Sequence, residues 1–452
     1  MPGIKVTPPV QKSPVQESPV RLHLRTDCSL ISASQVTKRM IEIELGATAV
    51  SAAVLHTARR DRSPLNLALV IDRSGSMGGS NLHYVKEATL HVLGVLADTD
   101  HVTLIAYDDA VDTLLAPGPL SPERRARAIE QVAALEPGGS TALFDGWRTG
   151  ADLVAGNPVP HAVTRVFLLT DGLANHGESR PEILEHHAQE MFARGVATST
   201  FGVGTEFNQF LLEGMAARGG GSYRFIEAPG QIPAMFGEEL GQLLATSARN
   251  VEITLTVPRG SSLSLLGNLP HTTEGNTLRI PVGALYADQP RTFFLEALLP
   301  PRGADSGLLT IPVVVSGTAA IKEAVAGTEA IAGMEEPGGG SLFQISETVN
   351  FTWAGTPEVQ AAPVLGAVRQ AAARVRVAAA ETDALRLEYA GEGTRGAQVL
   401  EYAIAACAAD LDSRSAEELA QFARRLRQSE RLDPAYSKGR HAAAYRSRRG
   451  ES

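Results

Sequence analysis

The run Asp72-Arg73-Ser74-Gly75-Ser76-Met77-Gly78-Gly79 sets one carboxylate and two hydroxyls at alternate positions, followed by glycines that let the backbone turn sharply. Farther on, Gly138-Gly139-Ser140-Thr141 offers a third hydroxyl, and an apolar run over 166–170 leads into Asp171-Gly172. Two carboxylates and three hydroxyls, all oxygen, suit a hard divalent cation rather than zinc. With so few charges from the chain, such a cation keeps waters and an open position. Magnesium tolerates this well, being reluctant to dehydrate and six-coordinate at about 2.1 Å, and Mn2+ or Ca2+ could take the same oxygens. The candidate ligands are Asp72, Ser74, Ser76, Thr141 and Asp171.

These residues need elements that bring them to one place. Over 63–248, near-continuous apolar runs alternate with helical periodicity, as buried parallel strands and crossover helices require. Strands are predicted over 65–71, 102–107, 166–170, 198–203 and 223–226. Asp72 and Asp171 then fall at strand C-termini, where α/β sheets build their sites. Leu82, Val85, Val92, Leu93 and Leu96 share one stripe of a helix that begins just after the glycine-rich turn. Ser121-Pro122 reads as a cap before a first-turn proline, and Ser179-x-x-Glu182 as a capping box. A helix over 208–218 should stop at Gly219-Gly220-Gly221. A last helix over 232–248 should run, through a link of Arg249-Asn250, into a strand over 251–257.

The flanks follow a different period. Segments 20–25 and 40–45, the latter reading MIEIEL, alternate as strands with one wet face do. Beyond 250, further strands are expected over 277–282, 292–299, 308–315 and 344–353, separated by Gly/Pro turns, which suggests a β-sandwich. The apolar stretch 307–321, broken by Pro312 and Gly317, looks like a buried strand pair, and 338–340 like a loop. Two lone N-terminal strands cannot bury an apolar face, so they should pair with strands from 250–355. From 359 helical spacing returns, in Val364, Leu365, Val368, Ala372 and Val375, then in Leu400, Ala403, Ile404 and Cys407. Ser415-x-x-Glu418 reads as a capping box that opens an arginine-rich last helix. The expected division is a Pro-rich tail over 1–19, N-terminal sandwich strands over 20–62, an α/β domain over 63–248, the rest of the sandwich over 249–357, a helical region over 358–430 and a basic flexible tail over 431–452.

The motif DxSxS, a later Thr in a GGST loop and a strand-ending Asp-Gly together resemble the metal-ion-dependent adhesion site of von Willebrand factor A domains. The resemblance spans about 185 residues, all five positions match, and it implies a Rossmann-like α/β fold. It also implies that Ser74, Ser76 and Thr141 contact a Mg2+ ion, that Asp72 and Asp171 act directly or through water, and that a partner's Asp or Glu carboxylate completes the shell. The wider context, DRSGSM with LLTDGLAN, resembles bacterial A-domain proteins similar to calcium-activated chloride channels, in which the A domain sits inside a β-sandwich. In such families an A domain often works beside an AAA+ ATPase or in a bacterial stress or defence system. The function implied is a metal-dependent protein–protein interaction module, not an enzyme. The alternative is a metal-dependent enzyme or enzyme subunit, of hydrolase or chelatase type, with Asp108, Asp109 or His176 as the base.

Other readings are weaker. DRSGSM alone is also what a capped helix start looks like, since Asp, Ser and Gly are common in turns. His186, His187 and Glu190 fall on a predicted surface helix with no further ligand in view. No HExxH, P-loop or GxSxG motif occurs. The formal charge of −9 argues against a protein built to grip nucleic acid, and the arginines 424, 425, 427, 446, 448 and 449 read as a solvated face. No apolar run approaches the roughly 20 residues that span a bilayer. Only Cys28 and Cys407 occur, which is no disulfide framework, and the N-terminus carries no hydrophobic signal core, so a cytoplasmic location is expected.

Overall fold

The computed structural model describes residues 20–47, 64–287, 289–303, 306–319, 342–428 and 432–450. The expectations for the 1–19 tail and for the 338–340 loop lie outside the described residues.

The chain opens with β1 (Val20–Thr26), β2 (Leu30–Ser32) and β3 (Thr37–Ala47), then passes into the α/β domain at β4 (Leu65–Asp72). There follow α1 (Ser80–Val95), β5 (His101–Tyr107), β6 (Val111–Leu115), α2 (Pro122–Ala133), α3 (Leu143–Gly156) and β7 (Val163–Thr170). The domain continues with α4 (Pro181–Ala193), β8 (Ala197–Val203), α5 (Gln209–Arg218), β9 (Gly220–Ile226) and α6 (Ile232–Leu244). Its sheet runs β6-β5-β4-β7-β8-β9, and all pairs are parallel except β5–β6. The period-2 pleat explains why β4 reads as one apolar run. Leu65, Leu67, Leu69 and Ile71 face α1, α2 and α6, whereas Ala68 and Val70 face α3, α4 and α5.

Strand order puts β4 at the centre, where the connections leave in opposite directions to β5 and β7. The crevice at this switch point is where open α/β sheets bind ligands, and Asp72 is the last residue of β4. Ser121 caps α2 through Arg124 N–H, and Asn208 caps α5 through Phe210 and Leu211 N–H. The left-handed stop after α5 falls on Gly220, at φ +67°, while Gly219 keeps φ −81°. The box expected at Ser179 does not form: Pro181 opens α4, and Glu178 instead accepts from the Ser179 and Arg180 N–H groups.

Beyond α6 come β10 (Thr246–Thr256), β11 (Ser262–Leu265), β12 (Thr272–Glu274), β13 (Thr277–Tyr286), β14 (Arg291–Leu299), β15 (Leu308–Ala319) and β16 (Leu342–Ala354). They form two sheets, β1-β3-β14-β11 and β12-β13-β10-β15-β16-β2, packed over one apolar core. β3 pairs with β14 from Thr37↔Leu299 to Leu45↔Arg291, so this sheet is made from both sides of the α/β domain. The stretch expected to be a strand pair is the single strand β15, and Pro312 sits in it just beyond the residues that pair with β10. The α6–β10 link is also shorter than the sequence suggests. The Thr246 hydroxyl donates to Leu243 O at 2.8 Å at the helix end, and only Ala245 separates the two elements. Arg249 and Asn250 belong to β10, where Asn250 takes φ +51° at a register shift.

The remainder is helical: α7 (Thr356–Ala361), α8 (Gly366–Tyr389), α9 (Gly393–Ala406), α10 (Ser413–Arg427) and α11 (Pro434–Arg448). Val364 and Leu365 precede α8 and are exposed rather than part of its buried stripe. Asp412, not Ser415, caps α10, accepting Ser415 N–H at 2.9 Å, while Glu418 pairs with Arg414. The largest correction concerns the basic tail expected from 431. Residues 434–448 form α11, which lies on the α/β domain with Ala442 and Tyr445 in its core. Its polar residues have specific partners there. Lys438 Nζ donates to Phe207 O at 2.6 Å and Gln209 Oε1 at 2.8 Å, Arg448 bonds Glu213, and His441 Nε2 lies 2.6 Å from Glu213 Oε2. Counting charge along the segment hides this, because each group finds its partner only in the folded chain.

Candidate metal centre

Asp72 is fully buried, and both of its oxygens are engaged. Oδ1 accepts Ser74 N–H at 2.8 Å and Oδ2 accepts the Thr170 hydroxyl at 2.6 Å. The backbone then makes a short 3-10 turn over Gly75–Met77, which stacks the alternate hydroxyls: Ser74 Oγ and Ser76 Oγ are 3.2 Å apart. Ser76 Oγ donates to Asp171 Oδ1 at 2.6 Å, and Asn81 Nδ2, in the first turn of α1, donates to Asp171 Oδ2 at 2.6 Å. Thr141 approaches from the other side. A Cβ placed on Gly172 would lie 3.4 Å from Ser76 Oγ and 3.6 Å from Thr141 Oγ1, so both hydroxyls meet beside that glycine. The five sequence-derived residues thus converge at the C-terminal ends of β4 and β7.

Three loops are tied together to hold them. Gly75 N–H donates to Gly139 O at 2.9 Å, Gly138 N–H to Arg73 O at 2.7 Å, and Ala142 N–H to Asp108 O at 2.7 Å. Thr141 N–H donates to Asn175 Oδ1 at 2.8 Å, which fixes the third loop against the second. Gly138 must lack a side chain, since a Cβ there would fall 1.8 Å from Asp108 Oδ2.

The electrostatics favour a cation. Burial pushes the Asp72 carboxyl up to about 6; hydrogen bonds from Ser74 and Thr170 pull against this, and the neighbouring Asp171 charge adds to it. Arg73, the nearest basic residue in sequence, is turned away to Asp108 at 3.2 Å and Asp112 at 2.6 Å. Among the described residues, neither Asp72 nor Asp171 has an ion-pair partner. A buried carboxylate without a counter-charge is costly, and an oxygen-only donor set open on one side is what a hard divalent ion would satisfy.

Sequence reasoning missed Thr170, Asn81 and Asn175. Each is a lone polar residue in or beside a motif, and only the fold shows that it reaches a ligand or its loop. The other candidates do not come together. His186 and His187 both contact Glu190 on the surface of α4, at 3.3 and 3.1 Å, and among the described residues no three His, Cys, Asp or Glu side chains converge as metal ligands. Burial pushes Asp108 up, but the Ala110 amide and Arg73 outweigh it and hold the carboxyl below its usual range. Such a group is a poor base. Asp109 and His176 are exposed on the rim.

Comparison with known proteins agrees with this fold. The family model for the von Willebrand factor type A domain matches residues 66–236. The chain is 27% identical to the uncharacterised protein sll0103 of Synechocystis over 292 residues, 61% of this chain and 66% of that one. It is 29% identical to human inter-alpha-trypsin inhibitor heavy chain H3 over 51% of this chain and 26% of that protein. The chain therefore spans just under two thirds of the first relative and about a quarter of the second. Two solved structures share the whole fold, each covering 96% of this chain. They are a von Willebrand factor type A protein from Catenulispora acidiphila (TM-score 0.69, 17% identity, 98% of that chain) and the ArnB paralog VWA2 from Sulfolobus acidocaldarius (TM-score 0.61, 14% identity, 100% of that chain). Among the described residues no helix is long and apolar enough to cross a membrane.

Proposed function

Since residues 66–236 are a von Willebrand factor type A domain, we propose that this chain is a protein-binding module, not an enzyme, which captures an acidic side chain of a partner through a divalent cation, Mg2+ first among them. Asp72, Ser74, Ser76, Thr141 and Asp171 would hold the ion. When bound, it supplies a positive charge with an exchangeable coordination position, which a carboxylate can fill.

The observation that carries this reading is the buried Asp72 beside Asp171, with no ion-pair partner for either among the described residues. The hydrogen bonds to Thr170, Asn81 and Ser76 hold the two carboxylates in place, and the charge of Asp171 makes ionisation of Asp72 harder, a repulsion that a cation at the site would relieve. A module of this kind also accounts for the absence of a suitably held base at Asp108. None of the relatives described above bears the name of an enzyme. A cytoplasmic setting belongs to the proposal, and both cysteines are free and buried, as suits a reducing compartment. An AAA+ ATPase or a defence-system protein as partner rests on the sequence resemblance alone.

The test is calorimetric titration of chelator-stripped protein with MgCl2, followed by selection of displayed random peptides in Mg2+ with elution by chelator. One-site Mg2+ binding that Asp72→Ala abolishes, and eluted peptides enriched in Asp or Glu, are expected. Undiminished Mg2+ binding by Asp72→Ala, or eluted peptides without acidic enrichment, would overturn the reading.

A further inference from the structure

A cleft of about 720 Å³ opens beside the candidate metal centre, and its two walls come from distant parts of the chain. One wall is built from the loops that follow β7 and β8 and carries Leu173 and Glu206. The other is built from the C-terminal helices and carries Glu388, Tyr389 and Leu432. Leu173 is two residues past Asp171, and chain geometry keeps their Cα atoms within about 7 Å. The cleft and the metal centre therefore share the loop that follows β7.

Its chemistry is specific. Leu173 and Tyr389 are large side chains left 48% and 56% exposed, one on each wall. Glu206 and Glu388 are both acidic, and neither has an ion-pair partner among the described residues. Glu206 accepts only the Thr205 hydroxyl at 3.2 Å, and Glu388 only the Leu432 N–H at 3.4 Å. Lys438, the one cation among the described residues of the lining, is buried. Its ammonium donates to Phe207 O and Gln209 Oε1 and lies 4.0 Å from the Phe207 ring centre, so it does not reach out to either carboxylate as an ion pair.

We propose that this cleft binds the residues flanking the partner's acidic anchor, and that it selects an extended segment in which the anchor is followed or preceded, a few residues away, by an apolar residue and a Lys or Arg. The apolar residue lies between Leu173 and Tyr389, and the basic residue is received by Glu206 and Glu388. The inference rests on the metal-site reading above and adds to it the chemistry of the partner. A metal-held carboxylate alone discriminates little between acidic peptides, and the cleft supplies the second point of recognition.

The test uses the full chain and fluorescent nonapeptides with a fixed central Glu, with each other position scanned through Lys, Leu and Glu, measured by anisotropy in Mg2+ and in chelator. Wild type should prefer Lys over Glu at one or two positions on one side of the anchor by roughly three- to tenfold, and Leu at a position between. The double variant Glu206→Lys/Glu388→Lys should reverse the charge preference, while its calorimetric Mg2+ affinity stays within twofold of wild type. Mg2+-dependent peptide binding with no charge preference, or with one that the variant leaves unchanged, overturns the cleft and spares the metal site. Peptide binding that ignores Mg2+, or no binding at all, overturns both.

Discussion

The Thr170 hydroxyl donates to Asp72 Oδ2 at 2.6 Å, so the last residue of β7 holds the last carboxylate of β4 across the crevice of the sheet. Both groups are completely buried. Thr170→Val keeps the shape and removes the donor, leaving a buried carboxylate oxygen unsatisfied. We expect a loss of about 1–3 kcal/mol in urea unfolding measured in chelator, together with weaker Mg2+ binding. Unchanged stability would mean that this hydroxyl does not hold Asp72.

Tyr107 packs directly beneath this pair, and Gly146 of α3 packs on Tyr107. A Cβ at Gly146 would lie 2.5 Å from the tyrosine ring. Gly146→Ala is expected to cost about 1–3 kcal/mol through overpacking. Gly94→Ala, in α1 with open space around it, should be neutral or stabilising by up to about 1 kcal/mol, as alanine is the better helix former. Thermal melts of the two variants side by side check the contrast, and equal effects would contradict the packing described.

The junction of α11 with the α/β domain should be acid-sensitive. Burial opposes ionisation of Glu213, but His441 and Arg448 outweigh it and hold the carboxyl down at about 2. A carboxyl whose folded pKa is depressed stabilises fully above its unfolded value near 4.5, and the contribution is lost as pH falls toward 2. Burial lowers the His441 pKa against the pull of Glu213, so protonation of the ring on acidification also favours release. Stability should therefore begin to fall below about pH 6.5, where His441 protonates first in the unfolded chain, and fall further between about pH 4.5 and 2, with a shallower slope over the lower range in Glu213→Gln. Urea unfolding across this range, with fluorescence as the probe, measures it; equal slopes would remove Glu213 as the cause.

Docked α11 should also resist trypsin. Lys438 and Arg440 are obvious cleavage sites in the sequence, yet Lys438 is buried on Phe207 and Arg440 bonds Glu381 and lies 4.4 Å from the Phe422 ring centre. Native protein should be cut at these two sites far more slowly than urea-unfolded protein. Rapid native cleavage at either, read by mass spectrometry, would mean that the helix is not held there.

The contrast between α11 and the metal centre explains what the sequence can and cannot disclose. Asp72, Ser74 and Ser76 lie within five residues, and Asp171 ends a run of apolar residues, so local pattern alone marks them as a site. The near-continuous apolar runs and the helical stripe likewise mark β4, β7 and α1, because each element buries its apolar residues independently of who covers them. Arg448, His441 and Lys438 carry no such local mark. Their burial depends on Glu213, Phe207 and Gln209, more than two hundred residues away, and a chain of isolated basic residues looks the same whether or not such partners exist. The cap residues fail in a milder way: Ser179 and Ser415 fit the motif, but neighbouring Pro181 and Asp412 determine the helix starts instead.

The joints of the α/β domain have a further consequence. β4 enters the domain, and α6 leaves it, at the end of the sheet opposite to Asp72, because the strands are parallel and α6 runs back along them; Arg249, just inside β10, bonds Ala162 O at 3.0 Å, immediately ahead of β7. The binding loops at one pole and the attachments at the other thus share no residues. Mutations can rewrite the loops after β4, β5 and β7 without disturbing how the domain is mounted in the sandwich, whereas the loop after β8 carries Phe207, whose carbonyl holds Lys438 of α11. Such an arrangement is open to evolutionary retargeting and equally to laboratory loop grafting, with the mount serving as a constant chassis.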